Sequence, residues 1–153
     1  MQLSYNNLKI KEEIYKMRTY VLMFGLSLLL FTGQLFAHGD AQPQPIDIGT
    51  LEPLGEEWLE SNPYSGNEEA IKVGKAGYTA NCARCHGLGA VSGGISPDLR
   101  ELEEGEEGDE WFIYRVRTGA TRNGITYMPA FEGVFGQEAM WAIRSWIETI
   151  PAD

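Results

Sequence analysis

Cys82-Ala83-Arg84-Cys85-His86 places two thiols three residues apart and an imidazole directly after the second. That spacing is the attachment pattern of a c-type haem. On one helical turn the two thiols reach the two vinyl groups of a single haem and form thioethers. The histidine that follows projects its ring at the iron from below. Haem brings the redox chemistry; the protein brings ligands, burial and shielding. Three other uses of the same residues fare worse. A structural disulfide between Cys82 and Cys85 leaves His86 without a role. A thioredoxin-like pair wants a preceding strand and a βαβ context, and neither is visible. A zinc site wants two more ligands at a second knuckle, and the chain has no other cysteine.

Upstream, Ser65 or Asn67 can cap a helix starting at Glu68, with Glu68 and Glu69 well placed for its dipole. The helix runs through Ala70, Ile71, Val73, Gly74, Tyr78 and Ala80 into the cysteine motif. Gly74 and Tyr78 share a face, where a glycine lets another helix come close and the aromatic ring fills the contact. Downstream, Gly87 to Ser96 is a glycine-bearing loop closed by Pro97-Asp98-Leu99. A ligating imidazole usually donates its second N–H to a carbonyl, which fixes the ring and raises its basicity. The Pro97 carbonyl is the expected acceptor; the plainer alternative is that Pro97 only turns the loop.

Tyr127-Met128-Pro129-Ala130-Phe131 lies in a stretch, 120–135, without a strong period. A thioether is a soft ligand that suits haem iron opposite histidine and raises its potential. Met128 precedes a proline that sets the local backbone, and it is the expected distal ligand. Met140 sits inside the last helix and reads as a gap-filling core residue. With His86 and Met128 both on the iron, no position is left for a substrate. Trp111, Tyr127 and Phe131 are candidates to line the pocket, and Arg122 and Asn123 to meet a propionate.

Glu101 to Glu110 (ELEEGEEGDE) carries seven carboxylates in ten residues. It reads as a solvated loop whose last acids sit at a helix N-terminus, with a docking surface or a weak calcium site as sharper alternatives. The next helix, about Glu110 to Arg117, is expected to bury Trp111, Ile113 or Phe112, and Val116, and to end at Gly119. The last helix, Gln137 to Ile150, has a stripe of Met140, Ile143, Trp146 (or Ile147) and Ile150 that should cross the Gly74/Tyr78 face. Pro151 stops it.

The chain's beginning has a different character. Tyr20 to Phe31 is an apolar run of twelve preceded by Lys16 and Arg18, with Gly33 and Ala37 before His38-Gly39-Asp40. This is the outline of a secretory signal peptide, cleaved after Ala37 or close by. A retained anchor would want about twenty apolar residues. The first sixteen residues are polar and mixed in charge, so translation is expected to start at Met17 or the leader to be long. Without residues 1–37 the chain keeps eight basic and twenty acidic residues, a net charge of −12. Such a surface disfavours nucleic acid and anionic membranes and favours salt-dependent meeting of a soluble partner. His38 to Pro63 is proline-rich and reads as an extended arm pinned by Ile46, Ile48, Leu54 and Trp58, with one helical turn at Gly55–Glu60.

Taken in order, the Gly74/Tyr78 helix, the cysteine–histidine turn, Pro97-Asp98-Leu99, the middle helix, Met128-Pro129 and the closing helix resemble class I cytochromes c, over about residues 67–150. The resemblance implies an all-α fold, three to five helices around one covalent haem c, preceded by an extended arm. The chain then divides into a leader at 1–37, an arm at 38–66 and a haem domain at 67–153. The stretches HGDAQPQPID, LGEEWLESNPY, NCARCHGL, SGGISPDLR, GDEWF, TRNGITYMPAFEG and EAMWAIRSWIE are similar to the PedF-type periplasmic cytochromes. That similarity implies a one-electron carrier, not an enzyme, in the periplasm of a Gram-negative bacterium. Its donor would be a PQQ-dependent (quinoprotein) alcohol dehydrogenase and its acceptor a terminal oxidase or another cytochrome. No nucleic-acid partner and no stable membrane insertion after cleavage are expected. The residues by themselves reach only a periplasmic electron-transfer haem protein. A general respiratory cytochrome serving another dehydrogenase, a haem enzyme or sensor with an open sixth position, and a thiol–disulfide exchanger are the alternatives.

Overall fold

Asn67 begins the ordered core: its side chain accepts from the Ala70 N–H and caps α1, Glu68–Asn81. That removes one orphan donor of the first turn, and the two glutamates beside it face the positive end of the helix. In this computed structural model the described residues are 11–21, 23, 43–94 and 96–152. They fall into two units, 1–42 and 43–153. In the first unit residues 11–21 are helical, with Lys16 paired to Glu12 and Glu13. Most of the apolar run and the expected cleavage after Ala37 lie outside the described residues, as does the start of the arm at 38–42. Among the described residues no helix is long and apolar enough to cross a membrane.

The second unit continues from α1 through α2, Ala83–His86, a 3-10 turn at Leu99–Glu101, and α3, Glu106–Thr118. The short strands β1, Ala120–Arg122, and β2, Ile125–Met128, follow, and α4, Gln137–Ile147, closes the chain. The expectation of an all-α fold therefore needs a correction. β1 and β2 form an antiparallel hairpin, with Arg122 opposite Ile125. Asn123 and Gly124 at its tip have φ of 51° and 77°, the left-handed pair that a two-residue hairpin turn demands.

α1 crosses α4 at Gly74. A Cβ there would stand 1.8 Å from the Ala142 carbonyl oxygen, so only glycine lets the two backbones lie this close. One turn on, the Tyr78 and Trp146 rings meet at 4.4 Å between centroids. Val73, Tyr78, Phe112, Met140, Trp141, Ile143 and Ile147 form the centre of the buried core. Met140 is fully buried among them.

α3 begins four residues earlier than its periodicity suggested. Gly105 starts it, and Glu106, Glu107 and Asp109 occupy its first turn. Its inward face also has a different phase: Phe112 and Ile113 are buried, whereas Trp111 is 43% exposed with the Arg115 guanidinium over its ring. The phase is set by Gly108 and Asp109. Gly108 passes so close to the Glu103 carbonyl that a Cβ would stand 1.7 Å from it. Asp109 is buried and accepts from Arg144 Nε at 2.7 Å. Arg144 is 2% exposed and also reaches Glu148 and the Glu103 carbonyl, so neither charge is buried without partners.

The arm, described from Pro43, is extended. Ile46, Ile48, Leu54 and Trp58 pack against the core, and Leu51 and Tyr64 are buried in it. The helical turn expected at Gly55–Glu60 is absent, because side chains of α4 take the hydrogen bonds it would have used. Leu54 N–H donates to Glu138 and Leu59 N–H to Gln137, while Gln137 donates to the Gly55 and Glu57 carbonyls. Asn62 ties the arm to Asp109, Ser145 and Glu148. The last helix is also shorter than expected: it ends at Ile147, and Thr149 and Ile150 close it with turn hydrogen bonds to Trp146 and Ile147.

Candidate haem site

The cysteine motif follows α1 directly. Cys82 N–H still bonds back to the Tyr78 carbonyl, and the Cys85 and His86 N–H groups both reach the Cys82 carbonyl. The motif is thus a single turn, α2, with both thiols and the imidazole on it. Both cysteines are free; Cys82 is half-buried and Cys85 exposed. Burial, with the neighbouring Cys85 adding to it, pushes the Cys82 thiol up to about 12. The zinc alternative lacks partners: among the described residues no group of three or more His, Cys, Asp and Glu comes together. The same observation leaves the acidic stretch 101–110 without a cation cage.

His86 is buried, and its Nδ1 lies 3.1 Å from the Pro97 carbonyl oxygen. A carbonyl can only accept, so Nδ1 carries the proton and Nε2 keeps its lone pair for a metal. The loop that brings Pro97 back is itself tied. Gly87 has φ of 79°, and a Cβ on it would stand 2.2 Å from the Val91 carbonyl oxygen. Tyr78 donates its hydroxyl to the Gly87 carbonyl at 2.7 Å; burial, the largest cause, raises the phenol pKa and keeps that proton in place. Ala90 N–H reaches the Gly87 carbonyl, and Leu99 N–H the Ala90 carbonyl. At the loop's outer end Asp98 accepts from Ser92 N–H and from the Arg100 side chain, and the Arg100 bond holds the Asp98 carboxyl down to about 2.

Met128 ends β2, half-buried and packed against the core. Its backbone is fixed by α3. Gly119, with φ of 68°, stops that helix, and a Cβ there would meet the Met128 carbonyl at 2.5 Å. Phe131 and Glu132 then donate to the Val116 and Arg117 carbonyls, which the helix end leaves unpaired. Of the residues expected to line a pocket, Phe131 is buried and stacked on Phe135 at 5.1 Å, while Trp111 and Tyr127 are exposed, Tyr127 at 63%. Arg122 and Asn123 are exposed on the hairpin. A hydroxyl partner nine residues away and a glycine against a distant carbonyl leave no local signal, so the sequence does not mark Tyr78 or Gly119 as supporting groups of the site. The Asn123-Gly124 dipeptide was such a signal for the hairpin.

The donor set fits a covalent haem. Two thiols share a turn with an imidazole whose remote nitrogen is already protonated and held, and glycines at 87 and 119 let backbone close in where side chains would not fit. Similarity to other proteins agrees. Residues 69–147 match the family described as cytochrome c oxidase, cbb3-type, subunit III. The chain is 49% identical over 141 residues to cytochrome c550 of Pseudomonas aeruginosa, covering 90% of this chain and 95% of that protein. It is also 30% identical over 138 residues to quinohemoprotein alcohol dehydrogenase ADH-IIG of Pseudomonas putida, and 32% identical over 85 residues to ADH IIB from the same organism. Those matches cover 84% and 56% of this chain but only 18% and 12% of the two dehydrogenases. No solved structure matches. The chain belongs to the cytochrome c family, with a class I layout: it is an electron carrier with covalently bound haem c, not an enzyme.

Proposed function

We propose that Cys82 and Cys85 hold the haem through thioethers, that His86 and Met128 are its axial ligands, and that the Pro97 carbonyl orients the imidazole. The observation that carries this is the 3.1 Å approach of His86 Nδ1 to Pro97, on the turn that bears both thiols. Bound haem would supply a one-electron ferric–ferrous couple. The chain's part is to fill both axial positions, exclude water with the α1–α4 core, and keep the imidazole basic through Pro97. Filled axial positions leave no site for a peroxide or a gas. That sets the reading apart from a haem enzyme or sensor.

The donor in this reading is a PQQ-dependent alcohol dehydrogenase, and the acceptor a terminal oxidase or another cytochrome. Similarity to part of two quinohemoprotein alcohol dehydrogenases supports the donor, because a domain of this kind fused to a quinoprotein would take electrons from its quinone. The acidic surface supports a soluble encounter with a salt-dependent rate. Residues 1–37 act as an export leader and the remaining chain works in the periplasm of a Gram-negative bacterium; the apolar run at Tyr20–Phe31 supports this. The test is stopped-flow mixing of the oxidised haem protein with a reduced quinoprotein alcohol dehydrogenase. Reduction on the turnover timescale, slowing as salt rises, is expected. No reduction on that timescale removes this donor and leaves the general respiratory carrier.

A further inference from the structure

Tyr78 is a core residue whose packing does not need its hydroxyl. The ring is fully buried against Trp146, and a phenylalanine would fill the same space. The hydroxyl donates instead to the Gly87 carbonyl, on the residue directly after His86. That carbonyl also accepts from Ala90 N–H at 3.3 Å, and the Ala90 carbonyl accepts from Leu99 N–H at 3.1 Å. Leu99 lies two residues after Pro97, whose carbonyl meets His86 Nδ1. Hydrogen bonds therefore run from Tyr78 on α1 through Gly87 and Ala90 to Leu99, and two residues of backbone carry the path from Leu99 to the Pro97 carbonyl and the His86 ring. Ala90 in its middle is fully buried with φ of 60°, a left-handed conformation that a non-glycine residue keeps only when its surroundings fix it.

We propose that Tyr78 is a positioning residue: through the Gly87 carbonyl it holds the loop so that the Pro97 carbonyl stays on His86 Nδ1. This rests on reading His86 as the iron ligand. A tighter Nδ1–H···O contact makes the imidazole a stronger donor, which stabilises ferric iron. Tyr78 thereby acts on the redox couple from α1, without touching the ring it controls.

The experiment compares haem-loaded wild type, Tyr78→Phe and Ile143→Val. Ile143 is a buried residue of α4 that makes none of these hydrogen bonds, so its loss of a methyl group weakens the core alone. The readouts are solvent exchange of the His86 Nδ1 proton, followed by NMR in the diamagnetic ferrous protein, and the reduction potential. Tyr78→Phe should speed that exchange about fivefold, the effect of one net hydrogen bond, and move the potential upward. Ile143→Val should change neither. Unchanged exchange in Tyr78→Phe, or equal acceleration in Ile143→Val, overturns the proposal. Failure of the underlying reading looks different: ferrous wild type whose NMR spectrum lacks the strongly ring-current-shifted ring protons of an iron-bound imidazole would remove His86 as ligand, whatever Tyr78 does.

Discussion

Gly74→Ala should break the helix crossing on which the haem unit is built. The added Cβ would sit 1.8 Å from the Ala142 carbonyl oxygen and 2.4 Å from its carbon. Ordinary contact begins near 3.4 Å, so α1 must move off α4 by more than an ångström. Both obstructing atoms are helix backbone, and no rotamer change can yield the space. Overpacking of this kind costs about 1–3 kcal/mol and occasionally more. Alanine returns about 1 kcal/mol of helix propensity, so a rigid clash at the upper end leaves a net loss of about 2 kcal/mol. The neighbouring Gly77→Ala is the control. Its Cβ would meet the Ile46 side chain at 2.9 Å, and a side-chain end can turn away. Urea unfolding of the two haem-loaded variants, followed by helical circular dichroism, should put Gly74→Ala about 2 kcal/mol below wild type and Gly77→Ala within about 0.5 kcal/mol of it. Equal stability of the two variants would refute the argument that backbone contact, rather than loss of glycine, sets the cost.

Arg144→Met alone should destabilise by about 3 kcal/mol or more in the same assay, because it leaves the Asp109 carboxylate buried beside a neutral neighbour; adding Asp109→Asn should recover part of that loss. Asp98 has a lowered folded-state pKa, so its contribution is complete above the ordinary carboxylate range near 4 and is lost as pH falls towards about 2. Protection of the loop amides between 87 and 99 against hydrogen exchange, corrected for the intrinsic pH dependence of amide exchange, should be steady from pH 7 to 5 and fall below about 4, and Asp98→Asn should remove that step. Cys82→Ala should leave haem held by one thioether, read as a pyridine haemochrome shifted towards that of a single remaining vinyl group.

The parts of this fold legible in the sequence are those whose cause is local. Asn67 caps its own helix, the cysteine–histidine turn is built from five consecutive residues, and Gly74 with Tyr78 marks a crossing by spacing alone. What was hidden depends on partners far along the chain. The phase of α3 is decided by Asp109 finding Arg144, which lies thirty-five residues away, so apolar periodicity by itself chose Trp111 for the core. Gly55–Glu60 looks like a helical turn until Gln137 takes its backbone groups. The hairpin was missed for another reason: its strands are too short and too exposed to alternate, and only Asn123-Gly124 marks them. At the site, a proline eleven residues after the histidine suggested its carbonyl, but nothing local pointed to the Tyr78 hydroxyl.

Carbon monoxide binding to the ferrous protein, measured at neutral pH in wild type and Met128→Ala, tests the central claim most directly. The account predicts that wild type resists the gas, since His86 and Met128 occupy both axial positions, and that Met128→Ala binds it rapidly and completely while its ferric spectrum loses the sulfur-to-iron band. Rapid, full binding by wild type, or a ferric spectrum unchanged by the substitution, would contradict it.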